Sequence, residues 1–356
     1  MLDILHREGG SPAPSRAADA LSDDCFFQRL AAWESRRTTA FRALGEQLCA
    51  AGILSNAVFV AWPNTERHPL FHSLMDLVEG QFERPLAADF HNSLLRAIDR
   101  LTTIPESWQK RGFNRPQVEQ NSALLPSDEY ALSRIRLLPS TEQPVLQLAL
   151  DRAINCMESI DETITRYVCT ILRVATFVQV DRDGDYFSGS ASEFYGAAHF
   201  SANFQPDAMG EMLVHEAEHA RLHLLEREES FFLPGIDERS VYYSPWRPDP
   251  RPLYGIFHGV HVFGGVIRFL IQFLEHGPSE RKPVARRRLN LLAAQQRRGL
   301  DELAAHARLS PLGEAVVRQA RQRLAQTEVL MTEPERQHAG DLIARAELER
   351  KAAWPR

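Results

Sequence analysis

The chain has 356 residues, of which 44% are hydrophobic and 25% are charged. This composition is typical of a folded globular protein and argues against a disordered chain. The net charge of −6 gives no electrostatic basis for a nucleic-acid partner.

The chain shows no sign of export or of membrane insertion. Its four cysteines form no CxxC pair, and we expect reduced thiols at all of them: Cys25, Cys49, Cys156 and Cys169. The N-terminal sequence lacks a basic start followed by an apolar stretch, so no signal peptide is expected. The most apolar segment, residues 254–274, contains His258, His261 and Arg268, which would be costly in a bilayer. We interpret it as a buried helix and predict a cytoplasmic protein without a membrane partner.

The first half of the chain is predicted to be helical. Residues 1–24 are rich in Gly, Pro, Ser and Ala, and we expect a loose N-terminus there. Apolar residues then recur at helical intervals over residues 26–61, near 68–102 and over 141–172. Residues 25–172 are therefore predicted to form an N-terminal helical region.

Residues 173–275 are predicted to form a second region, in which the periodicity changes. Residues 173–183 and 192–204 are rich in β-branched and aromatic side chains, which predicts two strands in a hairpin or small sheet. Pro206 and Asp207 then favour a strand stop and a helix that starts near Asp207. Residues 232–255 contain many prolines and little periodicity, which indicates a long loop.

Helical periodicity returns over residues 256–275, 284–306 and about 311–350. Residues 276–356 are predicted to be a C-terminal helical region, and one continuous domain from residue 25 onward is the alternative. The expected fold is mainly α and multi-helical, with a small β-hairpin or sheet before the helix near residue 207.

The segment LVHEAEHARLHLL, residues 213–225, contains an HExxH motif. On a helix, His215 and His219 lie on one face, one turn apart, with Glu216 directly after the first histidine. An apolar stripe runs beside them and indicates that this face packs inward: Leu213, Ala217, Ala220 and Leu224. Two surface histidines are the alternative, but a metal ion would satisfy buried imidazoles, so we predict a metal site.

The sequence narrows the choice of a third protein ligand. The HExxHxxGxxH pattern fails because Leu222 and Leu225 replace its glycine and third histidine. His223 stands a further turn along, about 5.4 Å, whereas metal–nitrogen bonds are about 2 Å, so we expect it beside the site. Three glutamates at or just after the helix fold back poorly toward the histidines: Glu226, Glu228 and Glu229. Glu238, in the loop that follows, is a weak candidate.

Two histidines of the next predicted helix remain. His258 and His261 are three residues apart, on one face, within an apolar sequence. We favour His258 as the third ligand and place His261 beside the metal or the substrate. Three imidazoles suit zinc, iron or copper.

Three motifs in this order resemble a known family. HExxH (His215 to His219), the loop PWRPDPRP (Pro245 to Pro252) and the helix start Phe257-His258-Gly259 are similar to the HExxH-motif putative peptide-modification proteins of ribosomal peptide biosynthesis. The resemblance covers about residues 190–270. It is more specific than HExxH alone because the spacing of three separate motifs agrees.

The resemblance implies an unusual use of HExxH. Some members are similar in activity to iron(II)/2-oxoglutarate-dependent oxygenases that hydroxylate the β-carbon of a residue in a precursor peptide. On that basis His215, His219 and His258 would hold Fe(II), whereas most such oxygenases use two histidines and a carboxylate. Glu216 would then orient water, substrate or a ligand, instead of being the general base.

The implied cosubstrate, 2-oxoglutarate, needs a cationic partner for its distal carboxylate. Arg247 and Arg251 have the right chemistry, with Arg251 preferred, although either can instead pair with Asp249 or Asp237 to hold the loop. Further residues are predicted to line the pocket, with packing or solvent exposure as the alternative: Trp246, Tyr243, His199 and Asn203.

The leading hypothesis is thus a peptide hydroxylase that uses Fe(II), 2-oxoglutarate and O₂. A zinc metallopeptidase with Glu216 as general base is the alternative. A third hypothesis is a degenerate protein that only binds a precursor peptide or a partner maturase. Retention of His215, His219 and His258 argues against that hypothesis.

Overall fold

The computed structural model describes residues 21–50, 68–83, 97, 115–125, 135–180, 187–202, 205–235 and 239–353. Within these ranges the fold is mainly helical with a small mixed sheet, as predicted. The helices are α1 (Asp23–Ala50), α2 (Pro69–Glu83), α3 (Gln143–Ile160), α4 (Glu162–Ile171), α5 (Pro206–Glu226), α6 (Leu253–His276), α7 (Lys282–His306), α8 (Pro311–Leu330) and α9 (Glu333–Ala353). The strands are β1 (Gln117–Val118), β2 (Ile135–Leu137), β3 (Val174–Val180), β4 (Ser188–Gly189) and β5 (Ala197–Ser201).

Two predicted helices are each divided in the structure. The single helix expected over 141–172 is wrong, because Asp161 has an extended backbone and its side chain accepts a hydrogen bond from the Ile164 N–H at 2.9 Å, which starts α4. The single helix expected over 311–350 is also wrong. There the Thr332 N–H donates to Glu335 at 2.8 Å, a capping interaction that starts α9.

Other helix boundaries differ less from the prediction. The HExxH helix begins at Pro206, in agreement with the preference of proline for the first turn of a helix. Of the helix expected near 68–102, the structure describes Pro69–Glu83. The predicted loose residues 1–20 lie outside the described residues, as does the predicted helical segment 51–61.

The described chain divides into two compact units. One contains Ala31–Leu224 and Gly265–Leu289, and the other contains Met1–Leu30, Leu225–Gly264 and Asn290–Arg356. Helices α1, α5, α6 and α7 contribute residues to both units.

The first unit contains the sheet. Strand β3 pairs in parallel with β1 and β5, and antiparallel with β2, while β4 pairs antiparallel with β5. The two strands predicted from residues 173–183 and 192–204 are therefore parallel neighbours, and a hairpin between them is wrong. The short strand β4, which lies between them in sequence, forms the antiparallel pair with β5 instead.

The second unit is helical and includes the loop between α5 and α6. The rings of Phe231 and Phe257 pack at 4.8 Å between centroids, and both side chains are fully buried. An apolar cluster joins α7 to α9 through Ala294, Ala339 and Ile343. The loop itself forms an antiparallel bridge between Tyr242 and Arg251.

Helix α6 contains the apolar segment considered above as a membrane span. Among the helices of the described residues, it is the one that is long and apolar enough to cross a bilayer. However, 72% of its most apolar window is buried inside the protein, which is typical of a core helix.

Candidate metal centre

Helix α5 belongs to the first unit up to Leu224, and its HExxH histidines are half-buried, with His215 22% exposed, so the expectation of buried imidazoles is wrong. The predicted apolar stripe is confirmed, since Leu213 and Ala217 are fully buried and Leu224 is 2% exposed. The rings of His215 and His219 lie 4.9 Å apart between centroids. Two imidazoles that bind one metal ion at about 2.1 Å have ring centres about 5 Å apart, so this pair fits a shared transition-metal ion.

Glu216 is held by the sheet next to this helix. Its carboxylate accepts a hydrogen bond from the Ser190 hydroxyl at 2.6 Å, and the side chain is 1% exposed. Its other oxygen lies 3.9 Å from Nε2 of His215. Burial raises the pKa of Glu216 to about 7, against the opposing hydrogen bonds from Ser188 and Ser190. The carboxyl group is therefore fixed in place and can change protonation near neutral pH.

His199 is buried in the same unit, on β5. It pairs with Gly189 in the register, whereas Ser188 pairs with Phe200, so His199 and Ser188 project from opposite faces of the sheet. Burial lowers the pKa of His199 to about 4, so its imidazole is neutral at physiological pH. Neither ring nitrogen has a hydrogen-bond partner among the described residues. Asn203, its predicted companion, lies outside those residues.

His223 continues the row of histidines on α5. Its ring stacks on that of His219 with 6.4 Å between centroids and an interplanar angle of 20°. His215 and His219 are closer together than His219 and His223, and the place of His223 beside the metal stays a prediction.

The second unit contains the histidines of α6. His258 is 6% exposed and His261 is 2% exposed, and the Tyr254 ring lies 4.3 Å from the ring of His258 between centroids. The Tyr254 hydroxyl donates a hydrogen bond of 2.6 Å to Glu226 at the end of α5. Burial and this carboxylate raise the pKa of Tyr254, so the hydroxyl keeps its proton. The role of His258 as the third metal ligand stays a prediction from the sequence motifs.

The two arginines proposed for 2-oxoglutarate both lie near Asp249. Arg251 Nε is 2.8 Å from the Asp249 carboxylate, and Arg247 Nε is 4.0 Å from it. The structure therefore contains the loop-holding ion pair that was the alternative. Both arginine side chains remain partly exposed, at 37% for Arg251 and 62% for Arg247.

The aromatic residues of the same loop are packed among helices. Tyr243 is 1% exposed, and its ring faces three cations, from Arg298, Arg350 and Lys351. Trp246 stacks on Phe263 with 5.4 Å between ring centroids. Both residues therefore position the loop, whether or not they also contact a substrate.

The C-terminal helix α9 holds this loop in place. The Arg350 guanidinium donates hydrogen bonds to the carbonyl oxygens of Ser244, Pro245 and Arg247, at 2.9–3.4 Å. One side chain thus satisfies three backbone acceptors in a segment that has almost no regular structure.

We expect Glu347→Gln to weaken α9 in a pH-dependent way. Hydrogen bonds from Arg298 lower the pKa of Glu347 to about 2, below its usual 4.5. Because the pKa of the folded state is depressed, this group stabilises the protein above about pH 4.5 and loses that effect as the pH falls toward 2. The Glu347 side chain is 18% exposed, so the variant should lose about 1 kcal/mol at pH 7. Urea unfolding of both proteins at pH 7 and pH 3 should show a smaller gap in stability at pH 3, and a gap that is constant with pH would contradict this role.

Several contacts at the site were not predicted from the sequence. Ser188 and Ser190 anchor Glu216, although they lie between the two predicted strands and received no role from the sequence. Glu226 was set aside as a ligand, and its bond to Tyr254 gave no sequence signal. These pairs are 26 to 28 residues apart, and no motif spacing links them.

No protein-family model and no curated protein matches the chain. The site defines a general class: a helical protein with an HExxH helix whose glutamate accepts hydrogen bonds from serines at strand β4.

Proposed function

We propose that this chain is an iron(II)/2-oxoglutarate-dependent oxygenase of the HExxH peptide-modification type, active in the cytoplasm. Its substrate would be a ribosomally made precursor peptide, hydroxylated at a side-chain carbon, with the β-carbon preferred. The observation that carries the proposal is the arrangement on α5. His215 and His219 form a pair with the ring spacing of metal ligands, while Glu216 accepts a hydrogen bond of 2.6 Å from Ser190.

Fe(II) with 2-oxoglutarate supplies the means to activate O₂ for insertion into a C–H bond. The task of the chain is to hold the metal, orient the cosubstrate and peptide, and limit access of water. His215 and His219 suit the first task because the buried stripe of α5 fixes the helix that presents them. The sequence motifs add His258 as the third imidazole.

Glu216 is best explained here as a residue that positions the histidines. A general base in a hydrolase must reach a water molecule at the metal, and the 1% exposure of Glu216 and its bond to Ser190 do not favour that role. A carboxyl group fixed to the sheet instead restrains the turn of α5 that contains His215. The proposal therefore assigns proton transfer to no side chain of the HExxH motif.

The 2-oxoglutarate carboxylate is assigned to Arg251. In the structure this guanidinium pairs with Asp249, and the partial exposure of the Arg251 side chain supports access by a second carboxylate. Arginine offers several N–H donors, so it can bind one carboxylate without fully releasing another. Arg247 is the weaker candidate because it is more exposed and lies farther from Asp249.

The second candidate function is a zinc metallopeptidase that processes a peptide. One observation favours it: the pKa of Glu216, raised by burial to about 7, is suited to a general base at neutral pH. In that mechanism Glu216 would accept a proton from the attacking water.

Glu216→Gln distinguishes the two functions. The glutamine oxygen can still accept the Ser190 hydrogen bond, so an oxygenase should keep its conversion of 2-oxoglutarate to succinate within about tenfold of wild type. A hydrolase would lose peptide cleavage by about 100-fold or more, because the base is gone. Succinate and peptide masses would be measured in parallel, with His276→Ala, a half-exposed histidine at the end of α6, as the control. Peptide cleavage by the wild type that is abolished in Glu216→Gln would overturn the proposal.

A further inference from the structure

Glu226, Tyr254 and His258 form a continuous group within the second unit. The Tyr254 hydroxyl donates to Glu226 at 2.6 Å, and the Tyr254 ring lies 4.3 Å from the His258 ring between centroids. A carboxylate oxygen of Glu226 and a ring nitrogen of His258 lie within 4.8 Å of each other. The tyrosine thus bridges an acid and an imidazole whose ligand atoms are themselves close.

This separation is near that of two ligands of one metal ion. Donor atoms that bind one ion at about 2.1 Å are about 3 to 4 Å apart, close to the 4.8 Å limit within which these two atoms lie. Carboxylate and imidazole are also the ligand types that non-haem Fe(II), Mn(II) and Zn(II) sites use. From the sequence, Glu226 was considered a poor ligand because it folds back poorly along α5, but in the structure His258 on α6 is its neighbour.

Tyr254 has the features of a residue that orients a metal-binding carboxylate. Carboxylates that bind metals are usually hydrogen-bonded by a further residue, which fixes their direction. The Tyr254 hydroxyl uses one oxygen of Glu226 and leaves the other available. His223 also stands three residues before Glu226 on α5, so the two side chains project from the same side of that helix.

We propose that Glu226 and His258 together bind a divalent transition-metal ion, with Tyr254 positioning the Glu226 carboxylate. The inference and the proposed function both assign His258 to a metal ion, but with different partners. Glu226 stands about two turns beyond His219 on α5, so an ion between Glu226 and His258 is not the ion assigned to His215 and His219.

The test is Co(II) binding by the full-length chain, measured by calorimetry after removal of metal with a chelator. Glu226→Gln should weaken binding about 100-fold, and Tyr254→Phe, which keeps the ring but not the hydrogen bond, about tenfold. Tyr254→Phe should also shift the visible spectrum of bound Co(II), which a purely structural role would not do. The matched control is Glu228→Gln, because this carboxylate, two residues away, forms a surface ion pair with Arg29.

Thermal unfolding of the metal-free variants shows whether each one is folded. Glu226→Asp is a second variant, which keeps the negative charge on a shorter side chain. Co(II) binding that is unchanged in both Glu226 variants would overturn the inference. A parallel His215→Ala variant separates this result from the proposed function. If His215→Ala loses Co(II) binding and the Glu226 variants keep it, the assignment of the histidine pair stands and Glu226 is not a ligand. Loss in Glu226→Gln but not in His215→Ala would support the inference and contradict the HExxH assignment.

Discussion

His215→Ala and His219→Ala should each bind Fe(II) at least about 100-fold more weakly than the wild-type chain. Changes to residues that only orient ligands cost about 10- to 100-fold in metal affinity, and the loss of a ligand should cost at least as much. The 4.9 Å separation of the two rings suits two imidazoles on one ion, so the removal of either ring leaves the site one ligand short. Both side chains leave α5 toward the same face, so an alanine should disturb the helix little.

Anaerobic titration with Fe(II), by calorimetry, measures this directly. His276→Ala is the control, because His276 lies at the end of α6 and its side chain is 49% exposed. If either HExxH variant keeps wild-type affinity while its metal-free form unfolds at the same temperature, the metal is not bound by this pair.

Gly299→Ala should destabilise the protein by about 2 kcal/mol, although alanine is the better helix former. In an exposed helix the same change stabilises by about 0.5 to 1 kcal/mol. At Gly299 the new methyl group would overlap the Trp246 ring, and at Gly259 it would lie 2.6 Å from that ring. A glycine on α6 and a glycine on α7 therefore leave room for the Trp246 indole. Overpacking at such a position costs about 1 to 3 kcal/mol.

Gly340→Ala, on α9, is the matched control, because an added methyl group there meets nothing within 4 Å. Urea unfolding should show Gly340→Ala equal to or more stable than wild type, and Gly299→Ala clearly less stable. In the Trp246→Ala background the Gly299 substitution should cost far less, since the ring that it strikes is gone. A Gly299→Ala chain as stable as wild type would mean that Trp246 moves freely, and that the loop is not held there.

Local periodicity was sufficient to predict most of the described helices. It failed where a single residue ends one helix and starts the next. Asp161 does so by capping α4, and the apolar pattern continues across it without interruption. Thr332 and Glu335 do have the spacing of a capping box, so the break before α9 was present in the sequence and was missed.

The site shows the same division between local and long-range information. The spacing of His215 and His219 follows from helix geometry, and so does the burial of their neighbours on α5. The contact of Glu216 with Ser190 depends on how a short strand pairs in the sheet, which no local pattern specifies. The choice of Asp249 as the partner of Arg251 was foreseen only as one of two alternatives, because an arginine attracts any nearby carboxylate.

The most direct test of the proposed function is the visible spectrum of the metal-free protein, without oxygen, after addition of Fe(II) and then 2-oxoglutarate. Chelation of the keto acid by iron gives a weak coloured charge-transfer band, which zinc cannot produce. We predict that the band appears, and that it is lost in His215→Ala and in His258→Ala. A chain that stays colourless and binds Zn²⁺ tightly would contradict the oxygenase proposal and favour the metallopeptidase.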